Sequence, residues 1–260
     1  MSKTAFTILV LANLTGFILV IVMNYLANAL PLNGKTTGEL SALYPNLFVP
    51  AGLSFSIWGL IYLLLTAFVV YQGAALFQGT GPGRTAVEQI HVWFLVSCLM
   101  NAGWIFAWHY QKTGLSLLVM LGLLGSLLMI YQRLQVGAAV PATGVRWLVH
   151  LPFSIYLGWI SIATIANVTA YLVHVNWGGW GISPPVWTLL MLAAGLTLAF
   201  LMLFIRNDYA YVLVVAWAFF GIWLKRSSAP QPEPLVVWGA LLGMILMGLA
   251  IAGKLLFFRK

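Results

Sequence analysis

Charged side chains are scarce in this sequence. Only 6% of the 260 residues are charged, whereas 62% are hydrophobic, and the mean hydropathy is +1.00. A soluble domain needs a polar surface that faces water, so this composition excludes one. The sequence therefore predicts a polytopic membrane protein whose main partner is the lipid bilayer.

Acidic residues and cysteine are almost absent. The four acids, Glu39, Glu88, Asp208 and Glu233, lie at or near predicted helix ends. They leave no carboxylate pair inside the membrane for acid–base catalysis or proton coupling. Cys98 is the only cysteine, which excludes an internal disulfide framework and a cysteine-based zinc site. No serine has a histidine at a recognisable motif spacing, and no metal-binding motif is present. These absences argue against an enzyme and against an obligatory cofactor.

Long basic runs are also missing, although the net charge is +8. No basic run exceeds two residues, so nucleic acid is not an expected partner. With eight spans, eight of the twelve lysines and arginines fall on the side of both termini, and four fall on the other side. Because cytoplasmic segments carry the excess of basic residues, both termini are predicted to be cytoplasmic.

Long apolar segments recur along the whole chain and predict an all-α bundle of eight transmembrane helices. A hydrocarbon core of roughly 30 Å needs about 20 helical residues. The predicted spans cover residues 5–30, 50–76, 88–110, 114–135, 145–173, 185–205, 209–224 and 235–257. The seventh span is short and follows a tight connection at residues 206–208. A count of seven spans with one re-entrant hairpin is therefore an open alternative.

Aromatic and amide side chains share one face on three of the predicted helices. In the second span, Phe55, Trp58 and Tyr62 stand at positions i, i+3 and i+7. Two further stripes have a similar period: Ser97, Asn101, Trp104 and Trp108 in the third span, and Tyr156, Trp159, Ala163 and Asn167 in the fifth. Three helices can thus turn similar faces toward one another.

These stripes also lie at similar depths. At about 1.5 Å per residue, Trp58 lies about 12 Å, Asn101 about 14 Å, Trp104 about 9 Å and Ala163 about 15 Å below the external helix ends. Tryptophans near helix ends usually form interfacial belts, but these lie deeper. The pattern predicts a pocket in the external half of the bundle, with asparagine amides that orient a ligand. Amides that only join helices are the alternative.

The same motifs resemble the TspO/MBR family, the tryptophan-rich sensory proteins related to the mitochondrial translocator protein. Residues 156–167 are similar to the family pattern Y-L-x-W-V-S-x-A-T-x-x-N almost position for position. Residues 50–62 resemble the pattern P-A-G-x-x-F-S-I-W-G-x-I-Y, and residues 99–104 resemble L-N-x-x-W. The resemblance covers about residues 1–173.

The resemblance implies a five-helix bundle that binds tetrapyrroles such as protoporphyrin or haem, sterols and flat aromatic drugs. Trp58, Asn101, Trp159 and Ala163 would line its pocket, and the loop before the second span would act as a lid. We expect residues 1–173 to form this core and residues 174–260 to add about three spans. The family occurs in bacterial and organellar membranes, and we expect a bacterial inner membrane. With the stripes included, the predicted ligand-binding residues are Phe55, Trp58, Tyr62, Asn101, Trp104, Trp159, Ala163 and Asn167.

Binding or sensing of a planar apolar ligand is the main functional hypothesis. The alternatives are transport of such a ligand through the bundle and light-dependent degradation of a bound porphyrin. A further alternative is a bis-histidine haem, held by His91 with His150 or by His109 with His174, because each pair lies at matching depth. In the last span, a GxxxG spacing at residues 239–243 predicts close helix packing or a homodimer.

Overall fold

The computed structural model describes residues 1–30, 32–77, 79–138 and 140–257. Within these ranges the chain is helical and contains no strand. In chain order the helices are α1 Lys3–Asn28, α2 Thr37–Ala42, α3 Ile57–Ala74, α4 Pro82–Ile90, α5 Trp93–His109, α6 Thr113–Arg133, α7 Thr143–Val145, α8 Leu151–His174, α9 Pro184–Arg206, α10 Tyr209–Ser227 and α11 Pro234–Phe257. Short 3₁₀ turns form at Gly52–Ser56 and Gly179–Gly181, and a π-helical turn at Arg146–His150 joins α7 to α8.

The helices of these ranges form a polytopic membrane bundle, as predicted. Seven helical segments are long and apolar enough to cross a membrane, and counting the bent pair α4 and α5 as one span gives an eighth. The predicted seventh span, whose length was left open, is the 19-residue helix α10. Eight passes would place both termini on one side, as predicted, whereas seven would place them on opposite sides. The count of basic residues included Arg259 and Lys260, which lie outside the described residues.

The predicted third span at residues 88–110 is not one straight helix. α4 and α5 meet at a bend of 55°, next to His91 with a φ of +54°. α4 buries one small apolar face, while Arg84 Nε and Glu88 Oε1 form an ion pair at 2.9 Å. Charged side chains are unfavourable in hydrocarbon. The chain therefore turns before it enters the bundle, and the apolar span begins at Trp93 instead.

α8 lies at the centre of the bundle. Every residue from Pro152 to Ile162 is buried, and α8 packs against α3, α6 and α10. On the outside, α1 packs against α5, while α9 and α11 pack against α10 and against each other. One hydrophobic core includes residues from both predicted parts of the chain, so α10 forms part of the wall around α8. The division at residue 173 stays a prediction.

Asp208 connects the C-terminal helices to the rest of the bundle. Its carboxylate accepts hydrogen bonds from Tyr131 OH at 2.8 Å and from Ser154 Oγ at 2.6 Å. It also caps α10 by accepting from the backbone N–H of Tyr211 at 3.0 Å. A carboxylate this deeply buried needs such donors. The sequence correctly placed Asp208 at a helix end, but it gave no sign of the burial.

The GxxxG spacing of α11 is used for packing inside the chain. A Cβ added at Gly239 would lie 2.5 Å from Leu189 Cδ2 of α9, and one added at Gly243 would lie 2.6 Å from Phe219 Cε2 of α10. Glycine therefore allows α11 to approach both neighbours closely, as this spacing predicts. Of the two sequence alternatives, close packing is the one observed here, and the homodimer stays a prediction.

Candidate functional site

Trp58 of α3 lies at the centre of an aromatic cluster. Its ring stacks on Tyr62 at a centroid distance of 5.5 Å and on Trp104 of α5 at 6.3 Å. It also meets Tyr156 edge-on at 6.1 Å and Trp159 edge-on at 6.3 Å, both from α8. Offset-stacked and edge-to-face contacts are the favourable geometries for aromatic pairs. The three predicted helix faces therefore meet at one place.

A cavity of about 60 Å³ lies beside this cluster. Six of the eight predicted ligand-binding residues line it: Phe55, Trp58, Trp104, Trp159, Ala163 and Asn167. The sequence analysis missed Thr37 and Ser41 of α2, which also line the cavity, because a short helix in a loop carries no periodic signal. Trp108, which continues the stripe of α5, is a lining residue as well.

Two predicted site residues do not line this cavity. Tyr62 lies behind Trp58 and contributes only the stacking contact. Asn101 is fully buried; its Nδ2 donates to Tyr156 OH at 2.8 Å, and its Oδ1 accepts from Asn24 Nδ2 at 3.3 Å. Asn101 therefore joins α1, α5 and α8, which agrees with the sequence alternative that this amide only connects helices. Its predicted contact with a ligand has no support in the geometry.

Asn167 differs from Asn101 because it reaches the cavity. Its Oδ1 accepts a hydrogen bond from Ser116 Oγ of α6 at 3.2 Å. The side chain is largely buried and lines the cavity together with Ala163 one turn earlier on α8. Asn167 thus joins two helices and also lines the cavity, while its role in orienting a ligand stays a prediction.

Two indole N–H groups beside the cavity have no hydrogen-bond partner in the described chain. These are Nε1 of Trp104 and Nε1 of Trp159, and both are buried. By contrast, Nε1 of Trp108 lies 3.4 Å from its acceptor, the backbone oxygen of Thr37. A buried donor without an acceptor costs free energy, about 1–3 kcal/mol in protein mutants. Both indoles belong to residues that line the cavity, so a ligand whose acceptor atoms reach them would supply the missing hydrogen bonds.

Residues 36–50, named here the lid, cover the cavity. α2 begins with a capping box in which Thr36 Oγ1 accepts from the backbone N–H of Glu39, and the Glu39 carboxylate accepts from the backbone N–H of Thr36. These hydrogen bonds from Thr36 and the nearby charge of Lys35 lower the pKa of Glu39 below its ordinary value of 4.5. The lid therefore has local structure of its own, and its action as a lid stays a prediction.

His109 holds the lid to the end of α5. Its Nδ1 lies 2.9 Å from the carbonyl oxygen of Leu32, which can only accept, so Nδ1 carries the proton. Its Nε2 then accepts from Thr37 Oγ1 at 3.2 Å. Both ring nitrogens are occupied, which leaves neither for iron. The pairing of His109 with His174 as haem ligands is therefore unsupported, and His174 instead meets the ring of Tyr44 edge-on.

Helix α10 also holds the lid and the residues that follow it. The backbone N–H of Ala51 donates to the carbonyl of Gly221 at 2.9 Å, and Trp217 Nε1 donates to the carbonyl of Ser54 at 3.1 Å. Arg226 Nη2 donates to the carbonyls of Asn46 at 3.0 Å and Val49 at 3.4 Å. We call these four hydrogen bonds the α10 latch. The sequence carried no signal for the latch, because its partners are more than 160 residues apart.

A helix bundle with a tryptophan-walled cavity under a structured loop defines a class of polytopic membrane protein with a buried cavity. The family comparison agrees with that class: the model for TSPO-like protein matches residues 9–253. The chain belongs to this family, which confirms the resemblance seen in the motifs. The match runs through the C-terminal helices and is not limited to residues 1–173. Comparisons with curated proteins and with solved structures give no significant match.

Proposed function

We propose that the protein binds a planar apolar ligand, such as a tetrapyrrole, in the tryptophan-walled cavity and acts as a membrane receptor or sensor. The observation that carries this proposal is the pair of unpartnered donors, Nε1 of Trp104 and Nε1 of Trp159, beside aromatic rings that suit a flat ligand. Membership of the TSPO-like family supports the same ligand class. We place the cavity in the external half of a bacterial inner membrane, with both termini in the cytoplasm.

The size of the cavity sets a condition on binding. Sites for drug-sized ligands have volumes of about 300–1,000 Å³, whereas this cavity has about 60 Å³. A tetrapyrrole can enter only if the lid moves away from the tryptophans. The lid lies closed over the cavity, so opening must break at least part of the contact between the lid and the bundle.

A titration with protoporphyrin tests this proposal. The detergent-solubilised protein is titrated, and binding is followed by the absorbance of the porphyrin. Trp159→Phe retains an aromatic wall but removes the donor; we expect the affinity to fall about fivefold to tenfold, since one net hydrogen bond is worth about 1–1.5 kcal/mol. Trp147→Phe is the matched control, because Trp147 is 54% exposed and lies outside the cavity.

Equal affinities of the two variants would show that the ligand does not contact Trp159. The same samples separate the other functions. Analysis of the porphyrin after illumination detects light-dependent degradation, and uptake into sealed vesicles detects transport. A haem titration tests the haem alternative directly. If the haem spectrum does not change when the protein is added, both haem as the ligand and the bis-histidine site are excluded.

A further inference from the structure

A second and much larger cleft also borders the lid. It has a volume of about 740 Å³, within the range of small-molecule sites. Its walls are the lid, the end of α8, the loop with Trp177, the start of α9 with Trp187, and the end of α10. We call it the extension cleft, because the C-terminal helices form half of it. The sequence analysis did not predict this cleft.

The extension cleft contains two adjacent cations, Lys225 and Arg226, in the last turn of α10. Within the described parts of the chain, no carboxylate lies within 4.0 Å of either side chain, and the only ion pairs involve Glu88. Lys225 is only partly exposed and donates no hydrogen bond to these residues. Arg226 uses Nη2 in the latch, but its Nε is buried without a partner. The cleft therefore has positive charge that no described acid neutralises.

The position of these cations at a helix C-terminus does not by itself explain why they line the cleft without an anionic partner. A helix dipole favours a cation in the last turn, and water at the membrane surface can solvate a lysine. Neither effect explains why Arg226 Nε is buried without an acceptor or why both cations line a deep cleft. A partly desolvated cation is stable when an anion accompanies it. An anionic group is thus the chemical complement of this end of the cleft.

The rest of the cleft is apolar. Leu172 of α8 and Met191 and Trp187 of α9 line it, and Thr169 Oγ1 donates to Met191 Sδ where the two helices meet. The cleft thus separates α8 from α9 near the ends of their spans and runs from a charged end to an apolar interior. This gradient matches a molecule with an anionic head and a hydrocarbon body. The bilayer around the helix ends supplies such molecules.

We propose that the extension cleft binds an anionic phospholipid, with its phosphate at Lys225 and Arg226 and an acyl chain between α8 and α9. The lid is one wall of both cavities, since Ser41 and Val49 line each of them. A lipid in the extension cleft therefore packs against lid residues that also line the tryptophan-walled cavity. The proposal is independent of which ligand the tryptophan-walled cavity takes.

Lipid retention in the full-length protein tests this proposal. The protein is purified from vesicles that hold equal amounts of phosphatidylglycerol and phosphatidylcholine with the same acyl chains, and native mass spectrometry measures the lipids retained. We expect a preference for phosphatidylglycerol that Lys225→Gln reduces about fivefold, the ratio for about 1 kcal/mol from one lysine beside an anionic lipid. Lys112→Gln is the matched control, because Lys112 is exposed at the same end of the bundle and does not line the cleft.

Three outcomes would overturn the proposal. Equal retention of the two lipids would exclude an anionic site, and equal effects of Lys225→Gln and Lys112→Gln would reduce it to general surface charge. Displacement of the lipid by inorganic phosphate alone would exclude the acyl-chain part of the site. Met191→Trp supplies an independent check, because it fills the apolar part without changing the charge; it should lower retention of phosphatidylglycerol while the thermal unfolding temperature stays close to that of the parent chain.

Discussion

Gly221 controls how closely α10 approaches the segment that follows the lid, and Gly221→Ala tests the latch directly. A Cβ at this position would lie 1.8 Å from Ser54 Oγ and 2.9 Å from Pro50 Cβ. Real Cβ atoms do not approach other atoms so closely, so we expect Pro50 and Ser54 to move away from α10. That movement breaks the hydrogen bond from the Ala51 N–H to the Gly221 carbonyl.

The expected loss follows from two terms. Forcing an extra methyl group into a packed contact costs about 1–3 kcal/mol, and the lost backbone hydrogen bond adds about 1 kcal/mol. Helix propensity acts in the opposite direction, because alanine is better than glycine in a helix by about 1 kcal/mol. The net loss of docking free energy for residues 50–54 is therefore about 1–3 kcal/mol, which corresponds to a factor of about 5 to 150 in the opening equilibrium.

Hydrogen–deuterium exchange at the Ala51 amide measures this equilibrium. Exchange in Gly221→Ala should be faster by that factor at residues 50–54, while α8 keeps its protection. The matched control is Gly248→Ala in α11, because a Cβ at Gly248 meets no atom within 4 Å. If the Ala51 amide exchanges at the same rate in both variants and in the parent chain, the latch does not hold this segment.

Three further predictions address the buried carboxylate of Asp208, the amide of Asn101 and the lid. Asp208→Asn replaces a hydrogen-bond acceptor by a donor opposite Ser154 Oγ, so the free energy of unfolding of the bundle should fall by about 1–3 kcal/mol. An unchanged thermal unfolding curve would contradict the role of Asp208 in connecting the helices. Asn101→Ala removes interhelical hydrogen bonds worth about 0.6–1.7 kcal/mol each, yet porphyrin affinity should stay the same, because Asn101 lies outside the cavity; a large loss of affinity would restore it as a ligand contact. The lowered pKa of Glu39 means that the capping box stabilises α2 above pH 4.5 and that this contribution is lost as the pH falls through the lowered pKa. A spin label on the lid of the parent chain should therefore show a pH-dependent change in mobility that is absent in Glu39→Gln. An equal change in both chains would assign the transition to another group.

The aromatic cluster could be predicted from the sequence, because helical spacing fixes which side chains share a face. Trp58, Trp104 and Trp159 meet in the structure as their stripes predicted. The same reasoning included Tyr62, which shares the face of Trp58 but lies one turn farther along α3 and outside the cavity. Periodicity gives a direction around a helix, whereas the extent of a cavity along the helix depends on the neighbouring side chains.

Asn101 illustrates a second limit of the sequence. Its stripe correctly placed the amide inside the bundle, but whether the amide faces a ligand or another helix depends on the partners that come within reach. Here Tyr156 OH and Asn24 Nδ2 occupy it. Asn24 belongs to α1, which showed no aromatic stripe, so the sequence offered no reason to pair the two residues.

The contacts between the lid and the C-terminal helices have no local sequence signature. Gly221 is one of several glycines in apolar helices, and only the approach of Ser54 distinguishes it. Likewise, Lys225 and Arg226 counted as markers of membrane orientation, since nothing in the sequence places them beside residues 41–49 or the start of α9. The extension cleft is formed by three stretches that are far apart in the chain, residues 41–49, 169–191 and 225–226, so it becomes visible only in the folded structure.

The latch and the small volume of the tryptophan-walled cavity together assign a role to the C-terminal helices. A large ligand needs an open lid, and the latch opposes opening with four hydrogen bonds, each worth about 0.5–1.5 kcal/mol. A total of about 2–6 kcal/mol keeps the open form at roughly 0.004–3% of the population, and the apparent affinity for the ligand falls to that same fraction of its intrinsic value. Arg226 contributes to the latch and also lines the extension cleft, so an anion bound there would change the latch itself. We therefore expect the helices beyond residue 173 to set how readily the cavity opens, even though they contribute no residue to its walls.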